Sequence, residues 1–148
     1  MLNDAQRTRL EIVLRAVEDK MLSMQYLIDC CGESHLMSYL KNDLTPESRT
    51  TLKKKIPAVS ERIRWLRDRF DLHIETRSAS REMYGGLSLL WVDLHESTSK
   101  RLQGFGHVDP LEADTLDPEI AKLAEWMLDL QRNVISQDLN VQRGVRAS

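Results

Sequence analysis

The segment TPESRTTLKKKIPAVSERIRWLRDRF, residues 45–70, decides the fold class. Thr45 can cap a helix, Pro46 suits the first helical position, where an N–H has no intrahelical acceptor, and Glu47 favours the positive end of the helix dipole. Leu52, Ile56, Val59, Ile63, Leu66 and Phe70 then recur at steps of four and three, an apolar seam that returns twice per seven residues. Pro57 sits inside the seam and costs about 3 kcal/mol by removing a backbone hydrogen bond and crowding the preceding turn. The seam keeps its phase on both sides of Pro57, so the segment predicts one kinked helix and not two.

Three further segments repeat this grammar. Before it, Asn3 or Asp4 can cap a helix whose seam is Leu10, Leu14, Val17, Met21, Met24, Ile28 and Cys31. Gly32 reads as its stop signal, and the stretch to Asp43 reads as a loop holding a short helix near His35 to Leu40. After it, a third helix carries Tyr84, Leu87, Trp91, Leu94 and Thr98, widened by Met83 and Leu90, and ends at Gly104 and Gly106. Phe105, Val108, Leu111 and Leu116 lie in a loop expected to lid one end of the core. A fourth helix is read from Asp117, Pro118 and Glu119, with Ile120, Leu123, Met127, Leu130 and Val134 as its seam.

Leucine supplies 22 residues against 15 for valine and isoleucine together, and no segment alternates apolar with polar side chains, so helices are favoured over strands. Helices of roughly 20 to 28 residues, about 30 to 40 Å long, match one another. The expected fold is all-α: an antiparallel, up-down-up-down four-helix bundle with left-handed, coiled-coil-like packing over residues 1–137, followed by a frayed or disordered tail over 138–148.

Composition excludes several classes. The 148 residues suit one domain, and 41% apolar with 30% charged residues argues against wholesale disorder. No stretch approaches the roughly 20 apolar residues of a membrane span, and the first 30 residues are charged throughout, unlike a secretory signal, so a cytoplasmic protein without membrane contact is expected. The adjacent Cys30 and Cys31 are the only cysteines, which removes a disulfide framework and fits a reducing compartment.

Chemical constellations are sparse. The seams contain no carboxylate, so a di-iron bundle with inward glutamates is excluded. Neither His35 nor His95 begins the H-x-L-K-G run of a phosphotransfer bundle, and no nucleophile elbow, phosphate-cradling loop or apolar carboxylate pair occurs. Enzymatic activity has little support, and neither catalytic residues nor a cofactor is expected. Two places keep a ligand-binding alternative open. In the bundle, Cys30, Cys31, His35 and His107 share one pole, where soft and borderline ligands suit zinc, although no paired C-x-x-C spacing is present. The second is Gly85-Gly86 beside Tyr84 and Trp91, a pocket candidate because two glycines cost a helix about 2 kcal/mol unless a backbone or ligand approaches closely. A helix that starts only after these glycines explains them equally well.

Charge is polarised. Residues 49–69 hold eight cations against two carboxylates, a balance of +6, and residues 108–130 hold seven carboxylates against Lys122, a balance of −6. A nucleic-acid partner for the basic helix is a further alternative, weakened by the acidic stretch and by the absence of a recognition motif. A protein partner accounts for more residues. Ala58, Trp65 and Leu72 form a column spaced by sevens outside the seam, flanked by Lys55, Arg62 and Arg69, and the fourth helix has a matching column of Ala121, Leu128 and Ile135. Large apolar residues rimmed by charge resemble an interface anchored by tryptophan and arginine. The sequence therefore predicts a non-enzymatic interaction module, a homodimer in which the second helix meets the fourth helix of its mate, at Lys55, Arg62, Trp65, Arg69, Leu72, Leu128 and Ile135.

Overall fold

A computed structural model describes residues 1–146, with side chains described through Ile135. It is mostly helical: α1 (Asp4–Asp29), a two-residue strand pair β1 (Glu33–Ser34) and β2 (Tyr39–Leu40), α2 (Pro46–Phe70), α3 (Ala79–His95), a single turn α4 (Ser99–Leu102), a 3-10 turn (Gln103–Phe105) and α5 (Pro110–Arg146). These fall into two units, Met1–Glu75 and Thr76–Ser148. The expectation for the tail, 138–148, falls on residues whose side chains lie outside the description, and the last two residues lie outside it altogether.

The first unit pairs α1 with α2. Asn3 caps α1 through a reciprocal box, its side chain accepting from the Gln6 N–H while Gln6 accepts from the Asn3 N–H. Thr45 caps α2 by accepting from the Ser48 N–H, and Pro46 takes the first helical position. The helix runs unbroken through Pro57. Every expected α2 seam residue is covered in part or in full, and Ile56 is buried; on α1 the covered stripe is Leu10, Leu14, Val17, Met21, Met24 and Ile28, with Ile28 buried. The Lys53 ammonium reaches Asp29 (3.2 Å), linking the end of α1 to the early turns of α2. The segment after α2 returns to α1, where Glu11 accepts from the His73 N–H (2.8 Å) and Arg15 pairs with Glu75 (3.1 Å).

Two expectations change in this unit. The seam of α1 ends at Ile28, because Cys30 is the extended C-cap residue; Cys31 is exposed and no part of an apolar stripe. No short helix forms near His35 to Leu40. Gly32 adopts φ +102°, a left-handed conformation open to glycine, and the chain turns into an antiparallel pair, Glu33 opposite Leu40 and Ser34 opposite Tyr39. The Asn42 side chain donates to the Leu27 and Cys30 carbonyls, satisfying orphan acceptors at the end of α1.

The second unit pairs α3 with α5. The Ser78 hydroxyl caps α3. The expected third helix does not continue to Gly104. It stops at His95, because Ser97 donates to the Asp93 carbonyl (2.7 Å) and Ser99 donates from its backbone N–H (2.7 Å) and its hydroxyl (2.6 Å) to Asp117. Short polar side chains here compete with the helical ladder. The fourth helix starts earlier than expected. Asp109 accepts from the Leu111 N–H (2.8 Å) and caps α5 at Pro110, so residues 110–116 are helical and Pro118 is accommodated inside the helix.

The two hydrogen bonds from Ser99 hold the Asp117 carboxyl below its ordinary value. A lowered folded-state value means stability that is present above the ordinary carboxylate range and is lost as acid protonates Asp117. Asp117→Asn should therefore flatten the acid limb of the stability profile. Urea midpoints compared at pH 7 and pH 3 check this, since the wild type should lose more between the two pH values than the variant.

The α5 seam is rotated from its expected position. Its covered stripe is Ala113, Asp117, Ile120, Ala124, Met127, Gln131 and Val134, with Ala124 and Gln131 buried. Gln131 donates to the Tyr84 carbonyl (3.2 Å) and the Ser88 hydroxyl (2.6 Å), and Ala124 is buried on the same stripe. These two features turn α5, and Leu123 and Leu130 move to the flank, 39% and 48% exposed.

Candidate functional site

The surface most in need of explanation is apolar. In the first unit Ile28, Ile56 and Leu72 are buried, and in the second Ala124 is the one buried apolar residue among those described. The remaining seam side chains are half-buried at best. Helix pairing alone covers one side of a seam that returns twice per seven residues. On α3, Met83 and Leu90 lie seven residues apart on an exposed flank; on α5, Leu123, Trp126 and Leu130 do the same at i, i+3 and i+7. Lys122 lies over the Trp126 ring, 5.3 Å from its centre. Trp126 extends the face of Leu123 and Leu130 and lies outside the expected seam of the fourth helix. Leu89 and Val92, also exposed, lie outside the expected seam of the third.

The predicted interface residues are only partly brought together. Trp65 is 52% exposed and points away from the α2 seam, with the Arg62 guanidinium over its ring at 5.6 Å. Lys55, Ala58 and Arg69 share its exposed side, and Arg69 stacks over Phe70 at 5.7 Å. Leu72 does not extend this column. The helix ends at Phe70, Asp71 takes a left-handed conformation (φ 50°), and Leu72 is 8% exposed. On α5, Ile135 and Ala121 are exposed and Leu128 is half-buried. Of the basic run, Lys53 and Arg67 are committed to Asp29 and Asp68.

Gly85 and Gly86 lie inside α3, and a Cβ built on either meets nothing within 4 Å. Among the described residues no backbone approaches them, so close approach does not explain the two glycines. Tyr84 is exposed and Trp91 half-buried, the latter stacked on His95 with ring centres 4.1 Å apart. With open space and helical backbone, Gly85→Ala should stabilise the protein by about 0.5 to 1 kcal/mol. A chemical-denaturation midpoint that falls instead would reveal a contact made at Gly85 by something beyond the described residues.

Of the polar-pole residues, Cys30, Cys31 and His35 belong to the first unit and His107 to the second. Around β1 the Tyr26 hydroxyl donates to Glu33 (2.5 Å), which raises the Tyr26 value above its ordinary one, and His35 lies 3.6 Å from the same carboxylate oxygen. Among the described residues no three of His, Cys, Asp and Glu gather to hold a metal, and no helix is long and apolar enough to cross a membrane. The tip between β1 and β2 carries Leu36 and Met37, both almost fully exposed. No protein-family model, curated protein or solved structure matches this chain, so its function is argued from the surface described above.

Proposed function

We propose that the chain is a non-enzymatic protein-interaction module that acts as a homodimer, its helix pairs completing an antiparallel, left-handed four-helix bundle. The observation that carries this reading is the half-covered seam. Leu10, Leu14, Val17 and Met21 on α1, Val59 and Ile63 on α2, and Leu123 and Leu130 on α5 all retain solvent-accessible surface after their helix has paired with its neighbour. Burying apolar surface is worth roughly 25 cal/mol per Å², so seams of this length gain several kcal/mol when another helical face closes over them. The Trp65 column on α2, flanked by Lys55, Arg62 and Arg69, and the apolar Ala121, Leu128 and Ile135 column on α5 lie outside the seams and supply the contacts between copies. Aromatic and arginine anchors of this kind carry most of the energy at protein interfaces.

Association makes folding concentration-dependent. Thermal unfolding followed by circular dichroism should show a midpoint that rises as the protein is concentrated a hundredfold. A midpoint independent of concentration contradicts the homodimer and leaves a monomeric module.

A further inference from the structure

We propose that each copy of the chain seats Trp65 of α2 in a cleft at the start of α5 of the second copy, held there by Arg62 and Arg69 against Glu112 and Glu119. The proposal rests on the homodimer reading above and names its contact. The cleft is open, about 670 Å³, with Leu102, Val108, Leu111 and Leu116 among its lining residues and Glu112 and Glu119 also part of the wall. Leu111 is 78% exposed, so the apolar lining is largely uncovered.

The two surfaces match in register. Arg62 and Arg69 are seven residues apart with Trp65 between them, and Glu112 and Glu119 are seven residues apart with Leu116 between them. Each pair spans two helical turns, about 10.5 Å at 1.5 Å per residue, so the two cations can meet the two carboxylates together in either chain direction. The charges are also uncommitted. Among the described residues neither glutamate has an ion-pair partner, and the two arginines lie over aromatic rings and not beside carboxylates. Some other surface cations are already paired, as in Arg15–Glu75, Lys53–Asp29 and Arg101–Glu96. An indole between two charge pairs, over an aliphatic lining, has the apolar centre and charged rim of an interface hot spot. A two-fold axis repeats the seat, giving two per dimer.

The test uses the full chain and two double variants, R62E/R69E and E112R/E119R. Sedimentation equilibrium should show a dimer for the wild type and, with helicity unchanged by circular dichroism, a dissociation constant raised about a hundredfold or more for each variant, because like charges then face each other. Mixing the two variants should restore a one-to-one dimer, since reversed α2 meets the reversed cleft at one seat and the native pair meets at the other. A wild-type monomer overturns the homodimer reading itself. A wild-type dimer whose variants stay dimeric overturns the seat alone, as do monomeric variants that fail to dimerise on mixing, the result of a contact formed within one chain.

Discussion

Leu123→Asp is expected to lower the thermal midpoint by about 10 °C or more, whereas Met37→Asp should leave it unchanged. Both positions are accessible in the helix pairs as described, Leu123 at 39% and Met37 at 96%. Exposure alone ranks both substitutions as mild. The proposed four-helix bundle separates them, because in it Leu123 and Leu130 face a second helix pair and a carboxylate at 123 is buried without a partner. Removing one member of a buried charge pair costs about 3 to 5 kcal/mol through the unpaired charge that remains, and an introduced unpaired charge is comparable. One kcal/mol shifts the midpoint of a domain of this size by about 2 to 4 °C, which gives the expected drop. Met37 sits at the tip between β1 and β2, far from any seam in sequence, and serves as the control. Equal midpoints for the two variants would show that water, and not protein, covers the α5 flank.

Trp65→Glu is the second large effect. It should yield a folded monomer, with the dissociation constant of the dimer raised about thirtyfold to a thousandfold, the equivalent of losing roughly 2 to 4 kcal/mol at a tryptophan hot spot. Helicity should survive, because Trp65 lies outside the seam formed by Ile56, Val59, Ile63 and Leu66. Loss of helical signal in this variant would instead place Trp65 in a core. The Arg62 guanidinium over the indole has a further consequence: Arg62→Ala should weaken association less than Trp65→Glu, since it removes the stacked cation without introducing a repulsive charge.

The residues that were easy to read were those where capping, dipole and periodicity agree. Thr45-Pro46-Glu47 starts α2 where expected, Asn3 starts α1, and the α2 seam survives Pro57 because one lost hydrogen bond does not shift the phase of the side chains. The errors share a cause: identical local signals compete, and tertiary contacts choose between them. Asp109-Pro110 and Asp117-Pro118 are both cap-and-proline pairs followed within two residues by a glutamate. The first starts α5, while Asp117 is drawn to Ser99. A helical wheel could not have found the rotation of α5 either, because it is fixed by a glutamine amide reaching Tyr84 and Ser88 across the unit. Cys31 fitted the seven-residue period by coincidence, the helix having ended at Asp29.

The candidate surface was legible in outline. Arg62, Trp65 and Arg69 follow from spacing alone, since each immediately precedes a seam member (Ile63, Leu66 and Phe70) and so lies around the helix from it. Leu72 was lost because a spacing of sevens holds only while the helix continues. Trp126 and the Leu111 cleft were missed because the first appeared as an off-seam residue beside a misjudged seam, and the second was assigned to a loop. Recognising Asp109 as the cap would have exposed the matched spacing of Glu112 and Glu119.

The central claim is that these helix pairs are covered by protein, including a second copy of the chain. Sedimentation equilibrium of the untagged wild-type chain from about 1 to 100 μM tests it most directly. The account predicts a reversible dimer of twice 17.1 kDa. A single 17.1 kDa species across that range, with full helical signal, would contradict it.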